Sequence, residues 1–290
     1  MKKFLILIPV YNDWESLQKL LDEINISLSN FKDFEFNCIV VNDASTINPP
    51  KIQKPKNIKG IKLISMSENR GHARCNAFGL KHIHENEKYD FLIVMDGDGE
   101  DRPVEIIKLV EQIKKDESFS VVAKRVKRSE GLVFQFLYRV HKYLTFIFTG
   151  ETINFGNYSC LIKKDVEKLF TQASLWSSFS GSFKKHVRNY NTINSERGKR
   201  YFGPSKMSLI NLIIHSFSII AVFRKTVFFR SSLIAFLLIY LSISFNNLFY
   251  FFLLMLILFN LLIFFASLRE SKTKLENSTK NVKNINLITH

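Results

Sequence analysis

Short apolar runs alternate with segments of helical periodicity over roughly the first 125 residues. Continuous apolar runs predict strands that are buried on both faces of a sheet. Between them, apolar residues recur at intervals of three and four, which is typical of amphipathic helices. We predict strands over 4–10, 36–41, 61–66 and 91–95, and helices over 14–26, 73–84 and 103–115. This alternation predicts an α/β fold with a mainly parallel sheet flanked by helices.

The last third of the chain carries a much longer apolar run. Residues 231–268 include no charged side chain, and one helix of that length would measure about twice the thickness of a bilayer core. Two transmembrane helices therefore fit better than one. Basic residues flank the run: Arg224, Lys225 and Arg230 before it, and Arg269, Lys272 and Lys274 after it. The positive-inside rule then places both termini in the cytoplasm. The alternative is a buried hairpin inside a soluble domain.

The segments that adjoin this run have patterns of their own. Residues 207–223 are rich in Ile, Leu and Phe with Ser, Asn and His between them. This predicts a helix that lies on the membrane surface, or otherwise an ordinary core helix. The Asn- and Lys-rich end of the chain predicts disorder. We therefore divide the chain into an α/β domain over 1–206, an amphipathic interfacial helix over 207–226, two transmembrane helices over 227–270 and a disordered cytoplasmic tail over 271–290.

Charge and cysteine content narrow the choice of partners. The chain has 41 Lys and Arg against 26 Asp and Glu, a net charge of +15, which suits nucleic acid, anionic lipid or phosphorylated substrates. Because no recognition helix or aromatic-rich basic strand accompanies the charge, we expect a lipid bilayer and no nucleic acid as partner. Cys38, Cys75 and Cys160 are widely separated. This predicts reduced, buried thiols with no disulfide or zinc site.

The fourth predicted strand stops at a cluster of acids. Its sequence is FLIVMDGDGEDRP, with Asp96, Asp98 and Glu100 separated by Gly97 and Gly99. Acids at the carboxyl end of a strand lie where open α/β sheets bind ligands. Carboxylate oxygens suit Mg²⁺ or Mn²⁺, which proteins commonly share with substrate phosphates. The alternative is a solvated acidic turn without a ligand.

Six motifs together resemble one family. IPVYND, VVNDAS, NRGHARCNAFG and MDGDGEDRP occur in the order and at the spacings of the landmarks of family 2 glycosyltransferases with the GT-A fold. VVAKR and RYFGPSK resemble later motifs of its polyprenyl-phosphate branch, which includes dolichyl-phosphate mannose synthase. The resemblance covers roughly residues 4–225, and the predicted membrane helices are of the same branch's type.

The resemblance implies roles for particular residues. It makes Asp98 the main ligand of Mg²⁺ or Mn²⁺, assisted by Asp96 and Glu100. The residues implied in nucleotide-sugar binding are Pro9, Tyr11, Asp13, Asp43, Arg74, Asp96, Ser205 and Lys206. Those implied at an acceptor phosphate are Arg125, Arg139 and Arg200, and the implied catalytic residues are Asp98, Arg125 and Arg200. Core packing of Tyr11 and a solvated helix face at Arg139 are alternatives, and His72 is expected only to pack within its loop.

The expected function is that of an inverting, metal-dependent glycosyltransferase. It would move a sugar from a nucleotide-sugar donor to polyprenyl phosphate at the cytoplasmic face of the cell membrane. The chain lacks the Glu-Asp base and the Gln-x-x-Arg-Trp segment of many hydroxyl-acceptor relatives, and an ionised phosphate acceptor needs no strong base. One departure weakens this: Ser159 or Cys160 stands where many branch members have arginine.

Two other readings stay open at this point. One is a membrane glycosyltransferase that adds a sugar to a lipid-linked saccharide during cell-surface polysaccharide assembly. The other is a non-catalytic membrane scaffold that retains the fold. The sequence also leaves open a homo-oligomer, the base and sugar of the donor, and the pathway that the enzyme serves.

Overall fold

The computed structural model describes residues 1–127, 132–204, 208–244 and 248–289. Its strands are β1 (Lys2–Val10), β2 (Phe34–Asn42), β3 (Gly60–Met66), β4 (Phe91–Val94), β5 (Val121–Lys127), β6 (Phe155–Ile162), β7 (Asn191–Glu196) and β8 (Val282–Ile288). Its helices are α1 (Trp14–Leu28), α2 (His72–Asn86), α3 (Glu105–Lys115), α4 (Leu132–Thr149), α5 (Lys163–Leu169), α6 (Phe179–His186), α7 (Leu209–Ala221), α8 (Arg224–Ser244), α9 (Leu248–Ser267) and α10 (Lys272–Glu276). Short 3₁₀ turns cover Ala173–Trp176 and Asn277–Asn281.

The eight strands form one mixed sheet in the order β7-β5-β6-β4-β1-β2-β3-β8. The central strands β4, β1, β2 and β3 are parallel, whereas β6 and β8 pair antiparallel with their neighbours. Along β1, Leu5 and Leu7 pack on the α2 side, and Phe4, Ile6 and Ile8 pack on the side of α1 and α3. Both faces of the central strands are therefore buried, as their continuous apolar runs predict.

The predicted α/β class and the early strands and helices are confirmed, with ends that differ by a few residues. The region between β5 and α7 was not assigned from the sequence, and it supplies β6, β7 and three helices. Its strands are short or carry polar residues at alternate positions, so their apolar pattern is weak. All three cysteines are buried and unpaired, as predicted.

Two C-terminal helices are long and apolar enough to cross a membrane, over Arg224–Ile243 and Leu248–Asn281. Only 17% and 11% of their most apolar windows are buried, so neither helix is a buried core helix within this chain. The adjoining helix α7 is exposed near its start and buried at its end. Ile210 near its start is 70% exposed, while Ile220 and Ala221 at its end belong to the core on the α2 side of the sheet.

The prediction of a disordered tail is wrong for the described residues. Leu275 of α10 and Ser278 are fully buried, and β8 pairs antiparallel with the edge strand β3. Main-chain hydrogen bonds hold this strand, although most of its side chains are exposed. Composition alone missed it because an edge strand pairs through backbone N–H and C=O groups, whatever its side-chain polarity.

Candidate active site

The central strands end side by side at one edge of the sheet. Asp13 follows β1, Asp43 follows β2, and an acid loop over 96–101 follows β4. Pro9 is buried within β1, and Tyr11 just beyond it is 38% exposed. Parallel strands bring their carboxyl ends together, and ligands of open α/β sheets bind there. The structure therefore gathers the predicted donor-side residues on one edge.

Asp96 is the most strongly anchored charge of this edge. Its Oδ1 lies 2.8 Å from His72 Nε2 and accepts a hydrogen bond from Asn157 Nδ2 at 3.1 Å. Burial by itself would raise the pKa of Asp96, but the charges of His72 and Arg125 and these hydrogen bonds hold that pKa well below its usual range. Asp96 is therefore an ionised carboxylate in the folded protein.

Asp98 and Glu100 are each paired with an arginine. Asp98 Oδ2 lies 2.8 Å from Arg200 Nη1, and the other terminal nitrogen of Arg200 contacts Asp13. Glu100 forms an ion pair with Arg197. Arg200 thus lies between two acids that the sequence assigns to the metal and the donor, and its side chain is only 13% exposed.

The acid loop fits a divalent cation. Burial, together with the charges of Asp96 and Glu100, raises the pKa of Asp98 to about 6, so negative charge is in excess there. Among the residues that the structure describes, no three Asp, Glu, His or Cys side chains converge on a common metal position. Magnesium in proteins is usually held by one or two carboxylates plus substrate phosphates. The donor set therefore suits an ion that Asp98 and Asp96 hold jointly with a substrate.

A return segment over 197–201 closes over the acid loop. The amides of Gly198 and Tyr201 donate to the carbonyl oxygens of Glu100 and Asp98 at 2.8 and 3.0 Å. Gly99 has a φ of 88°, and a Cβ there would lie 2.4 Å from the ring of Tyr201. Glycine is needed at this position both for the left-handed backbone and for the close approach of the ring. The first part of the RYFGPSK motif is therefore a component of the acid site.

Asp43 is buried and already has two donors. Its carboxylate accepts hydrogen bonds from the backbone amides of Arg70 and Gly71 at 2.9 and 2.8 Å. These bonds tie the loop before α2 to the end of β2. Asp43 thus positions the neighbouring loop, and its contact with a nucleoside base stays a prediction.

Arg125 and Arg139 have different surroundings. Arg125 is partly buried, with Nη2 4.0 Å from Asp101 Oδ1. A Cβ on Gly156 would lie 2.5 Å from Arg125 Nη2, so glycine there makes room for the guanidinium. Arg139 is exposed on α4, which agrees with a solvated helix face. Ser159 and Cys160 are fully buried in β6, and neither replaces the missing arginine with a cation.

The sequence interpretation missed several polar residues of this edge. It assigned His72 to loop packing, but the ring contacts Asp96. His215 on α7 lies near His72, Asp96, His141 and Arg125, and burial lowers its pKa to about 4. Only the polar positions of the apolar segment 207–223 could have pointed to His215. Ser205 and Lys206 lie outside the described residues.

Comparison with known proteins settles the family. The model of "Glycosyl transferase family 2" matches residues 5–179, more than half of the chain. The chain belongs to glycosyltransferase family 2. The matched region contains the acid loop, the Asp43 turn and Arg125, and it ends before the return segment and α7 to α9.

Two curated relatives of this glycosyltransferase carry the same name. The chain is 26% identical over 234 residues to the "Undecaprenyl-phosphate 4-deoxy-4-formamido-L-arabinose transferase" of Yersinia pestis (strain Pestoides F), covering 78% of this chain and 68% of the relative. The protein of the same name from Proteus mirabilis (strain HI4320) is 26% identical over 220 residues, covering 73% of this chain and 64% of that relative. The resemblance to the polyprenyl-phosphate branch is thus confirmed.

Solved structures confirm the GT-A fold of this glycosyltransferase. The mannosyltransferase PcManGT from Pyrobaculum calidifontis, in complex with GDP-Man and Mn²⁺, is 14% identical with a TM-score of 0.50, over 91% of this chain and 86% of that one. Glucosyl-3-phosphoglycerate synthase from Mycobacterium tuberculosis, with Mn²⁺, UDP-glucose and phosphoglyceric acid, is 14% identical with a TM-score of 0.55, over 78% and 80%. At this identity the likeness concerns the fold alone.

Proposed function

We propose that this glycosyltransferase moves a sugar from a nucleotide donor to polyprenyl phosphate at the cytoplasmic face of the membrane. The observation that carries the proposal is the acid loop at the carboxyl edge of a sheet whose core on the α2 side continues into α7 and α9, the second of two helices apolar enough to cross a bilayer. The names of the relatives, which are undecaprenyl-phosphate sugar transferases, support the acceptor class. Those of two proteins with the same fold, solved with a nucleotide sugar and Mn²⁺, support the donor class.

The proposed reaction is a single displacement at the anomeric carbon. An oxygen of the acceptor phosphate forms the new bond to that carbon as the bond to the donor's diphosphate breaks, which inverts the configuration. The acceptor phosphate is already ionised near neutral pH, so no side chain has to remove a proton. Arg125 and Arg200 are the cations that would reduce the repulsion between the two phosphates. A divalent ion held by Asp98 and Asp96 would supply Lewis-acid stabilisation of the departing diphosphate.

Exposed apolar surface supports a position at the membrane. Helix α4 exposes Leu137, Val140, Tyr143, Phe146 and Ile147. It packs against α7 and α8, and the ring of Phe148 contacts that of Phe259 of α9 with centroids 4.3 Å apart. The apolar surface of α4 is therefore continuous with the candidate spans.

One contact favours a second candidate, transfer to a hydroxyl group of a lipid-linked saccharide. Such an acceptor needs a general base, and an imidazole held by a carboxylate is a suitable one. His72 and Asp96 form such a pair at 2.8 Å. The two candidates differ in product, since the first yields a sugar phosphodiester and the second a longer saccharide.

The proposal is tested with membranes containing the full chain, labelled nucleotide sugars and polyprenyl phosphate. We expect a labelled lipid phosphodiester whose formation stops in chelator and returns with Mn²⁺ or Mg²⁺. Asp98→Asn should slow the reaction at least about a hundredfold, because charge stabilisation at the leaving group is lost. The exposed Asp33→Asn is the matched control and should leave the rate unchanged.

Two results would contradict the proposal. A transfer rate that chelator does not change would show that the reaction needs no divalent ion. A product formed only on a saccharide acceptor would favour the second candidate. In that case His72→Gln should abolish transfer, whereas transfer to a phosphate should survive this change in part.

A further inference from the structure

The two carboxylate oxygens of Asp96 have different surroundings. Oδ1 makes both of the side-chain contacts, with His72 Nε2 at 2.8 Å and with Asn157 Nδ2 at 3.1 Å. Within the described part of the chain, no hydrogen bond or ion pair ends on Oδ2, and this oxygen is not buried. The side chain as a whole is 20% exposed. One oxygen of Asp96 is therefore held by the protein, and the other is open to a ligand.

Asp98, in contrast, has both oxygens engaged. Its Oδ1 accepts a hydrogen bond from the amide of Glu100 at 3.0 Å, and its Oδ2 lies 2.8 Å from Arg200 Nη1. A cation that approaches the acid loop therefore meets an uncommitted oxygen on Asp96. To bind through Oδ2 of Asp98, it must first displace the guanidinium of the return segment.

The two contacts on Asp96 come from separate elements. His72 is the first residue of α2, and two backbone amides tie the preceding loop to Asp43. Asn76, one turn further along α2, is 1% exposed and lies 3.4 Å from the same ring nitrogen of His72. Asn157 lies on β6, which pairs antiparallel with β4, the strand that ends just before Asp96. Rotation of the carboxylate would break contacts with both elements.

Such contacts matter for a metal ligand. Hydrogen bonds to a ligating carboxylate fix its orientation, and loss of one of these outer contacts typically weakens metal binding about 10- to 100-fold. An oxygen that is already oriented also loses less freedom when it binds, so less of the interaction energy is spent on ordering it.

We propose that His72 and Asn157 are positioning residues, which hold Asp96 so that its Oδ2 is the first carboxylate oxygen to bind an incoming divalent cation. Asp98 joins only when Arg200 leaves it. The inference rests on the proposed function, because it takes a divalent ion at the acid loop, and it deepens that function by ordering the ligands. Neither positioning residue touches the reacting atoms in this role.

The first test is a Mn²⁺ titration by electron paramagnetic resonance, on the full-length protein in neutral detergent without nucleotide. Asn157→Leu removes the amide donor at similar volume and should bind Mn²⁺ about tenfold more weakly than the wild type. The exposed Asn189→Leu is the matched control and should bind as the wild type does. Asp96→Asn should weaken binding more than Asp98→Asn, since the charge of Asp98 is already paired.

A pair of variants at His72 isolates the hydrogen bond on that side. Glutamine and leucine are both uncharged, but only glutamine can place an N–H near the position of Nε2. His72→Leu should bind Mn²⁺ about tenfold more weakly than His72→Gln. The Mn²⁺ concentration that gives half-maximal sugar transfer should rise by the same factor, while the rate at saturating Mn²⁺ changes less. Loss of stability alone would not produce this split.

Equal Mn²⁺ affinities of Asn157→Leu and Asn189→Leu, or of the two His72 variants, would overturn the proposal. So would a wild type that binds no Mn²⁺ until nucleotide is added. Thermal unfolding of each variant checks the fold, and if Asn157→Leu does not fold, the His72 pair decides. A product formed only on a saccharide acceptor would contradict the proposed function and leave these affinities unchanged, so the two failures are distinguishable.

Discussion

Arg200 occupies the middle of the candidate site, with its guanidinium between the carboxylates of Asp13 and Asp98. Its motif implied contact with the acceptor phosphate, but in the folded chain it neutralises acids on the donor side. A metal ion on Asp98 would have to share this carboxylate with Arg200 or displace it. The residue therefore links occupancy of the donor site to the position of the return segment.

We predict that Arg200→Ala binds Mn²⁺ about tenfold more tightly in the absence of nucleotide, because a competing charge-assisted contact is removed. The same variant should transfer sugar at least about tenfold more slowly, since a cation is lost between two phosphates. Both effects should be intermediate in Arg200→Lys, because lysine keeps the positive charge but cannot form the two parallel hydrogen bonds of a guanidinium. Mn²⁺ titration by electron paramagnetic resonance measures the first effect, with exposed Arg188→Ala as control. Unchanged Mn²⁺ affinity would show that Arg200 does not compete for Asp98.

His215 provides a second prediction at the residue scale. Its pKa of about 4 in the folded protein lies below the ordinary value of 6.5, so the unfolded chain takes up its proton first as the pH falls. The stabilising contribution is complete above pH 6.5 and is lost toward pH 4. Near pH 5.5 the loss is about 1 kcal/mol. The charged groups that act on this ring are His72, Asp96, His141 and Arg125.

His215→Gln should therefore flatten the dependence of stability on pH. Thermal unfolding of wild type and variant in detergent between pH 7 and 5 measures this. The two proteins should converge as the pH falls, with the variant losing less stability. Parallel curves would show that the ring is not held in its neutral form.

At the element scale, the end of the apolar helix α4 is held by contacts with a residue that is distant in sequence. Arg230 in the second turn of α8 donates from Nη1 to the carbonyl oxygen of Ile147 at 2.9 Å, near the C-terminus of α4, where a cation is favourable. Gly150 follows with a φ of 78°, and a Cβ there would lie 2.6 Å from Arg230 Nη2. A candidate span and the apolar helix α4 are thus joined at one point.

We predict that the exposed apolar side of α4 lies in lipid. An environment-sensitive fluorophore on Phe146→Cys or Tyr143→Cys, in lipid nanodiscs, should emit at shorter wavelength than the same label on exposed Lys142→Cys. The three native thiols are buried and should not react. Quenching by lipid-borne bromine should follow the same order. Emission at the same long wavelength from all three positions would show that this side of α4 lies in water.

At the scale of the whole molecule, the sheet constrains the membrane topology of the two long apolar helices. Helix α8 leaves the α/β domain, and after α9 the tail returns to pair β8 with β3 of the same domain. If both helices span the bilayer, the start of α8 and the end of α9 must lie on the same side of it, because both connect to the α/β domain. From the basic residues on both flanks we predict that this side is the cytoplasm.

Cysteine labelling in intact cells tests this topology. Asn247→Cys, between the two helices in sequence, should react with an impermeant maleimide, whereas Thr279→Cys in the tail should react only after permeabilisation. Thr279 is exposed, and neighbouring Ser278 is unsuitable because it is fully buried. Labelling of Thr279→Cys in intact cells would reverse the orientation, and equal labelling of both positions would exclude the hairpin.

The sequence by itself determined the features that depend on local pattern. Apolar runs at β1 to β4 predicted buried parallel strands, and the acids after β4 predicted a site at their carboxyl edge. The charge-free stretch over 231–268 predicted two apolar helices. Each of these follows from residues close together in the chain, so no long-range contact is needed to infer them.

Only the tertiary structure decided which distant side chains meet. It placed Arg200 on Asp98 and His72 on Asp96. It also made a strand of the polar tail, because the β3 edge offers backbone partners that composition does not reveal. Ion pairs and edge pairing depend on the arrangement of whole elements in space, and one-dimensional spacing carries no information about them.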